Sequence, residues 1–474
     1  MRRIFIAIFS IALLTASVFS QSGRRVDPVD VKLETDSLRD YSVAQLFSMA
    51  TNYATQKFTE FEKDKTPYTP ALHLKVLAEQ KQLAAKYANH AKTRTDLTGD
   101  DYYYLGRLHW MATNATDASI AFEEFLSNDS GTPQKFQTAR SVVVVIAATS
   151  KDFDKAEKYL RSYNSNEPRK VSEIAKMEKE VALNYIEVGE YAKAAPHADA
   201  AFLATQENLV DAESRAGALN QLLDAGITAF EIYRELGDHE KAEDALKKLR
   251  DESLPVQSHG VYYRAVDELI KYLIETKRKP AALALYRQTL VKIRTDFTSK
   301  SQQDYLLAKF EKRERPYKIL GEAAPDLVSI ESWMPGIAQP LSGMKGKVIL
   351  LDFWATWCGP CLEAFPSLRK WHKDYKDMGL EIVGVTRFYD SVKGGDNARL
   401  KELDFISKFK KTHELPYSIA VALDPENQIT YGATLIPTAV LIDRKGIVRF
   451  VESGSSESRE DEILKKIKSL LAEE

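Results

Sequence analysis

The chain has 474 residues, enough for roughly three ordinary domains or for one long helical array followed by a second domain. Lys and Arg total 66 against 68 Asp and Glu, a net charge of −2 that excludes a basic nucleic-acid surface and a charged interaction tail. Only two cysteines occur, Cys358 and Cys361, which excludes a framework of structural disulfides.

The first elements read as a leader. Arg2 and Arg3 form a basic start, Ile4 to Ala16 is apolar apart from Ser10 and Thr15, and Val18-Phe19-Ser20 suits cleavage ahead of Gln21. Residues 1–20 are therefore expected to be a signal peptide and 21–36 a linker. The apolar run is short for a bilayer span, and no later stretch reaches spanning length. The expectation is a periplasmic or secreted protein with no stable membrane insertion once the leader is cut.

Residues 37–312 read as helix throughout, rich in Ala, Leu, Glu, Lys and Tyr. Val142 to Ile146 could form a strand, but Ala-rich helix surrounds it and the reading is buried helix. Ala118, Ala156, Ala194, Ala242 and Ala281 recur at spacings of 38, 38, 48 and 39. Tyr185, Tyr233 and Tyr272 lie nine residues before their alanines, and Phe122, Leu160, Leu246 and Leu285 four after theirs. Small residues are needed where two helices cross closely, so each unit predicts helix, short turn, helix. With Gly106 and Pro168 added, this region resembles tetratricopeptide-type repeats, though the repeats are longer than usual for that family. The resemblance implies either a scaffold or a concave surface that holds a partner.

Residues 313–322 are expected to be a second linker, since Lys312-Arg-Glu-Arg-Pro316 breaks the helical pattern with charge and proline. From 323 to 474, strands alternate with short helices, as in an α/β domain. Val348 to Phe353 reads as a buried central strand, Trp354 to Trp357 as a loop, and Leu362 to Met378 as a helix ended by Gly379. The pair Cys358-Gly359-Pro360-Cys361 thus opens a helix. A helix N-terminus carries unpaired N–H groups and partial positive charge, which stabilise a thiolate, the nucleophile of disulfide exchange. Cys358 is the expected attacking sulfur and Cys361 the resolving one. Pro360 suits a first turn that needs no N–H there. A lone pair cannot supply four zinc ligands, and His372 and His413 are not paired, so no metal is expected. The only redox group is the Cys358–Cys361 pair itself, without an added cofactor.

Two further residues belong to this reading. Asp352, six before Cys358 at the end of the apolar strand, can exchange a proton with Cys361, and burial should raise its pKa. Pro437 leads the strand Ala439–Ile442, where a proline can be cis or trans. If it is cis, backbone groups of Ile436 are left free for an extended substrate.

Together, Gly321-Glu-Ala-Ala-Pro-Asp-Leu327, Leu341, Gly346-Lys347, Trp354-Ala-Thr-Trp-Cys-Gly-Pro-Cys361, Phe365-Pro366, Tyr431-Gly432, Ile436-Pro437-Thr438 and Asp443 with Gly446 resemble the TlpA/ResA-like branch of the thioredoxin superfamily. The resemblance covers about residues 318–470. It implies that Pro437 is cis, that Trp354 and Trp357 line the site with Gly359, Pro360 and Ile436, that the substrates are protein disulfides, and that a membrane thiol protein donates electrons. The fold class expected is therefore α plus α/β: an all-α repeat array followed by a thioredoxin-like domain. One departure stands out. Many reductases of that branch carry Glu three residues after the second Cys, where this chain has Ala364, with Glu363 one earlier.

The same residues admit two other readings. The Gly321 opening also suits a peroxiredoxin-like peroxidase, but no proline or threonine stands three before Cys358 in the manner that chemistry needs: the stretch is Ala355-Thr356-Trp357. Alternatively, the helical array is a partner-binding scaffold and the redox domain a passenger.

Overall fold

The structure, a computed structural model, describes residues 35–128, 130–209, 215–389 and 395–473. The expected leader, most of the linker after it and residues 390–394 of a charged stretch lie outside these. The described chain divides into two compact units, one ending at Ala204 and the other beginning at Thr205.

The first unit is helical. It comprises α1 (Val43–Lys63), α2 (Pro70–Lys92), α3 (Gly99–Met111), α4 (Ala115–Leu126), α5 (Pro133–Thr149), α6 (Phe153–Asn164), α7 (Val171–Glu187) and most of α8 (Tyr191–Asn208). Starts are set by local chemistry: Ser42 and Gln45 form a capping box on α1, and the side chains of Asn114 and Asp152 accept amides at the starts of α4 and α6. The valine run at 142–145 lies inside α5, as expected, and is buried. His197 belongs to α8. It is buried between Glu178 and Glu157, at 2.6 and 3.0 Å.

The second unit begins with α9 (Arg215–Glu235), α10 (His239–Ser253), α11 (His259–Glu275), α12 (Lys279–Asp296) and α13 (Lys300–Ile319). Across both units the helix-crossing alanine is the fourth residue of α4, α6, α8, α10 and α12. The first four are Ala118, Ala156, Ala194 and Ala242, all fully buried; in α12 it is Ala282, and Ala281 is exposed. The cause is local. Helix α11 runs three residues past Tyr272, where α7 and α9 run two past Tyr185 and Tyr233.

A six-stranded sheet follows, with β1 (Ile330–Met334), β2 (Val348–Phe353), β3 (Leu380–Arg387), β4 (Ser418–Ala422), β5 (Thr438–Ile442) and β6 (Val448–Ser453) in the order β1-β4-β3-β2-β5-β6. β2 pairs parallel to β3 and antiparallel to β5, and all six of its residues are buried, as a strand in the middle of the sheet requires. The remaining helices are α14 (Gly359–Tyr375), α15 (Gly395–Thr412), α16 (Glu426–Tyr431) and α17 (Glu457–Ala472). Val348, Leu350 and Trp354 share a core with Phe365, Leu368 and Trp371 of α14 and Ile463 and Ile467 of α17.

The expected linker at 313–322 is corrected by the structure: α13 continues to Ile319 with Pro316 inside it. Burial explains this. The Arg313 guanidinium meets Asp267 of α11 at 2.9 Å and Glu452 of β6 at 3.0 Å, and donates to the Val451 carbonyl. Tyr317 donates to Asp267 at 2.6 Å. Lys271 bonds Glu268 at 2.9 Å and Glu452 at 3.0 Å, and Arg459 of α17 reaches Glu452 at 3.4 Å. Burial opposes ionisation of Glu452, but Lys271, Arg313 and Arg459 outweigh it and hold its carboxyl well below the usual range. Pro316 also abuts Gly432, which has φ +69° and lies so close that a Cβ there would sit 2.5 Å from the proline ring.

Arg313→Met should leave Asp267 and Glu452 buried without their guanidinium and cost about 3 kcal/mol or more. Four of the five tryptophans (333, 354, 357 and 371) lie in or beside the sheet, so denaturant melts followed by tryptophan fluorescence report this loss.

Candidate active site

β2 ends at Phe353, and the chain turns through Trp354–Trp357 into α14. Cys358 is the N-cap of that helix, and its sulfur accepts the Cys361 amide at 3.3 Å. Cys358 and Cys361 are joined as a disulfide, and both are nearly buried, at 4% and 1% exposure. Gly359 and Pro360 are exposed, Pro360 sitting in the first turn where its missing N–H costs nothing. The helix start thus directs an N–H and the positive end of its dipole at the first sulfur. When the disulfide opens, that environment favours Cys358 as thiolate, both as nucleophile and as leaving group.

Asp352 is placed by strand register, opposite Gly384 of β3 and Ala439 of β5. Alternation along β2 puts it on the same face as Leu350 and Trp354, the face covered by α14. Burial pushes its carboxyl from 3.8 up to about 7, and it has no hydrogen bond within the described residues. A carboxyl poised there can both take and return a proton near neutral pH.

The peptide bond from Ile436 to Pro437 is cis. The Pro437 carbonyl accepts the Gly454 amide at 2.8 Å, while the N–H and carbonyl of Ile436 bond to nothing within the described residues. An extended chain could therefore pair with Ile436 beside the disulfide.

The two tryptophans separate. Trp357 is 63% exposed and meets Tyr389 edge-on at 5.3 Å. Trp354, expected to line the site, is instead fully buried, stacked on Phe409 of α15 and edge-on to Phe365 at 5.5 Å each. Its neighbour on β3 is Gly384, where a Cβ would lie 2.9 Å from Trp354 Nε1. Trp354 supports the site from the core.

Sequence reasoning missed the group that holds Trp357. The Tyr389 ring lies under the Arg387 guanidinium, 4.1 Å from it, and its hydroxyl accepts from Gln428, whose amide oxygen accepts from Arg387. The only signal was a tyrosine at the edge of a charged stretch, too weak to act on. Glu363 is exposed, and Ala364 faces inward.

This geometry defines a thiol–disulfide oxidoreductase with a thioredoxin-like fold. Residues 319–467 match the family model described as Redoxin. The thiol-disulfide oxidoreductase ResA of Bacillus thuringiensis is 28% identical over 149 residues, 31% of this chain and 78% of that one. The thioredoxin-like protein YneN of Bacillus subtilis is 32% identical over 142 residues, 30% of this chain and 76% of that one. A solved structure of a thiol:disulfide interchange protein from Chlorobium tepidum, 23% identical, covers 32% of this chain and 97% of its own, with a TM-score of 0.27. Through its C-terminal part, the chain belongs to the redoxin family of thioredoxin-like oxidoreductases.

The raised Asp352 pKa makes a signed prediction. The folded oxidised protein binds a proton there between 3.8 and about 7 that the unfolded chain does not, so this group's contribution to stability falls as pH rises through that window. Asp352→Asn should flatten that slope and leave the variant the more stable by on the order of 4 kcal/mol at about pH 8. Denaturant melts at several pH values test it.

Proposed function

We propose that the chain reduces or isomerises protein disulfides outside the cytoplasm. The observation that carries this reading is the cysteine pair at a helix start, its leading sulfur held by the Cys361 amide, beside a cis-proline loop with an unpaired Ile436 backbone. In reduction, the Cys358 thiolate attacks a substrate disulfide, forming a Cys358–substrate disulfide and releasing one substrate thiolate. Cys361 gives its proton to Asp352 and attacks Cys358, closing the intramolecular disulfide and releasing the second substrate thiolate. Ile436 and Trp357 hold the substrate chain, Gly359 and Pro360 keep the approach open, and Pro437 shapes it.

The leader-like start with Arg2, Arg3 and its apolar run supports a periplasmic or secreted location. Among the described residues no helix is long and apolar enough to cross a membrane. A reductant there must be recharged, and a membrane protein that passes thiol electrons outward is the donor class this chemistry requires. The helical units serve as the arm that docks clients.

The test is the redox cycle of the pair. Mature protein is equilibrated in thiol buffers and scored by alkylation. A reducing potential supports a reductant with a membrane donor, and a more oxidising one an isomerase. Cys361→Ser should trap client proteins on Cys358 as lasting mixed disulfides, and Cys358→Ser should trap none. A pair that never opens in any thiol buffer sinks the proposal.

A further inference from the structure

A cavity of about 30 Å³ lies under the site, walled by Asp352, Ala364, Pro437, Ser455, Arg459 and Glu460 among others. That is room for a water molecule, which needs on the order of 10–15 Å³ and polar partners. β2 brings Asp352 to it, α14 brings the methyl of Ala364, and the start of α17 brings Arg459 and Glu460. The Asp352 carboxyl is buried and has no hydrogen bond among the described residues, so its proton needs a route out.

Glu460 is placed to provide one. It is half-buried, with one carboxylate oxygen held by the Ser367 hydroxyl at 2.5 Å. It sits in the first turn of α17. The other charged groups near Asp352 are accounted for. Arg459 is occupied by Glu462 at 2.5 Å and Glu452 at 3.4 Å. From the β4 side comes the Tyr417 phenol, which burial first and then Asp352 keep protonated. α14 and β5 present only Ala364, Leu368, Trp371 and Ala439 to the cavity.

We propose that Glu460 relays the proton between Asp352 and solvent through water in this cavity. The inference rests on the exchange reaction and the Asp352 role set out above. As Cys361 loses its proton, Asp352 takes it. As the Cys358–Cys361 bond forms and the substrate sulfur leaves with the electron pair of the broken bond, Asp352 passes the proton by way of water to Glu460 and so to bulk solvent. The reverse sequence delivers a proton when the disulfide is reduced.

A relay changes rates in both directions equally and leaves the equilibrium alone, which separates it from a structural or purely electrostatic role. The experiment follows single-turnover resolution of a mixed disulfide between Cys358 and a small peptide thiol, in the full mature chain, across pH and in H2O and D2O. For E460Q the expected result is resolution slowed about tenfold or more, with a larger solvent isotope effect and an unchanged reduction potential. Adding A364E, which puts a carboxylate on the opposite wall, should restore the rate. E460Q as fast as the parent, or slowed only in step with a shifted potential, overturns the relay. D352N separates the two layers: if it too resolves at the parental rate, the Asp352 role fails along with the relay, and if D352N alone is slow, only the relay fails.

Discussion

The buried guanidinium of Arg313 ties the redox domain to the helices before it. Three cations, Arg313, Lys271 and Arg459, meet three carboxylates, Asp267, Glu268 and Glu452, largely out of water. Each charge is costly to bury alone; Glu268 is matched within α11 by Lys271, and the other five each have a partner from a different element. Glu452 pairs in register with Ala439 of β5, one residue after Thr438, which follows the cis-proline. The arrangement that orders α11 and α13 therefore also fixes the strand behind the cis-proline loop.

The site itself depends on two opposed electrostatic settings a few residues apart in sequence. At Cys358 the helix start makes negative charge cheap. At Asp352 a closed apolar strand makes it expensive, which keeps a proton available near neutral pH. Disulfide exchange needs both, because one sulfur must remain charged while the other gives up and regains its proton.

Much of this was legible in the sequence, for physical reasons. A short apolar run set between Gly346-Lys347 and the Trp354–Trp357 loop reads as a buried strand, so β2 and the position of Asp352 followed, as did the helix start at Cys358; α14 itself ends at Tyr375, and a 3-10 turn carries the chain on to Gly379. What failed depended on partners distant in sequence. Lys312 to Pro316 reads as a charged break because nothing local reveals that Arg313 has Asp267 and Glu452 waiting for it. Trp354 and Trp357 share one motif, yet only packing against Phe409 decides that the first is core. Ala281 and Ala282 differ by a single residue of helix length in α11, below the resolution of a spacing argument.

The close fit of Gly432 against Pro316, with the ion network beside it, bears on how portable this catalytic module is. Family similarity begins at residue 319, but two of the three cations that pair with Glu452 lie upstream, at 271 and 313. Recombination at the similarity boundary would carry the cysteines and Arg459 to a new host and leave behind Lys271 and Arg313. Moving this redox module to another scaffold thus requires taking α11 and α13 along, or rewriting Glu452 and Gly432 first.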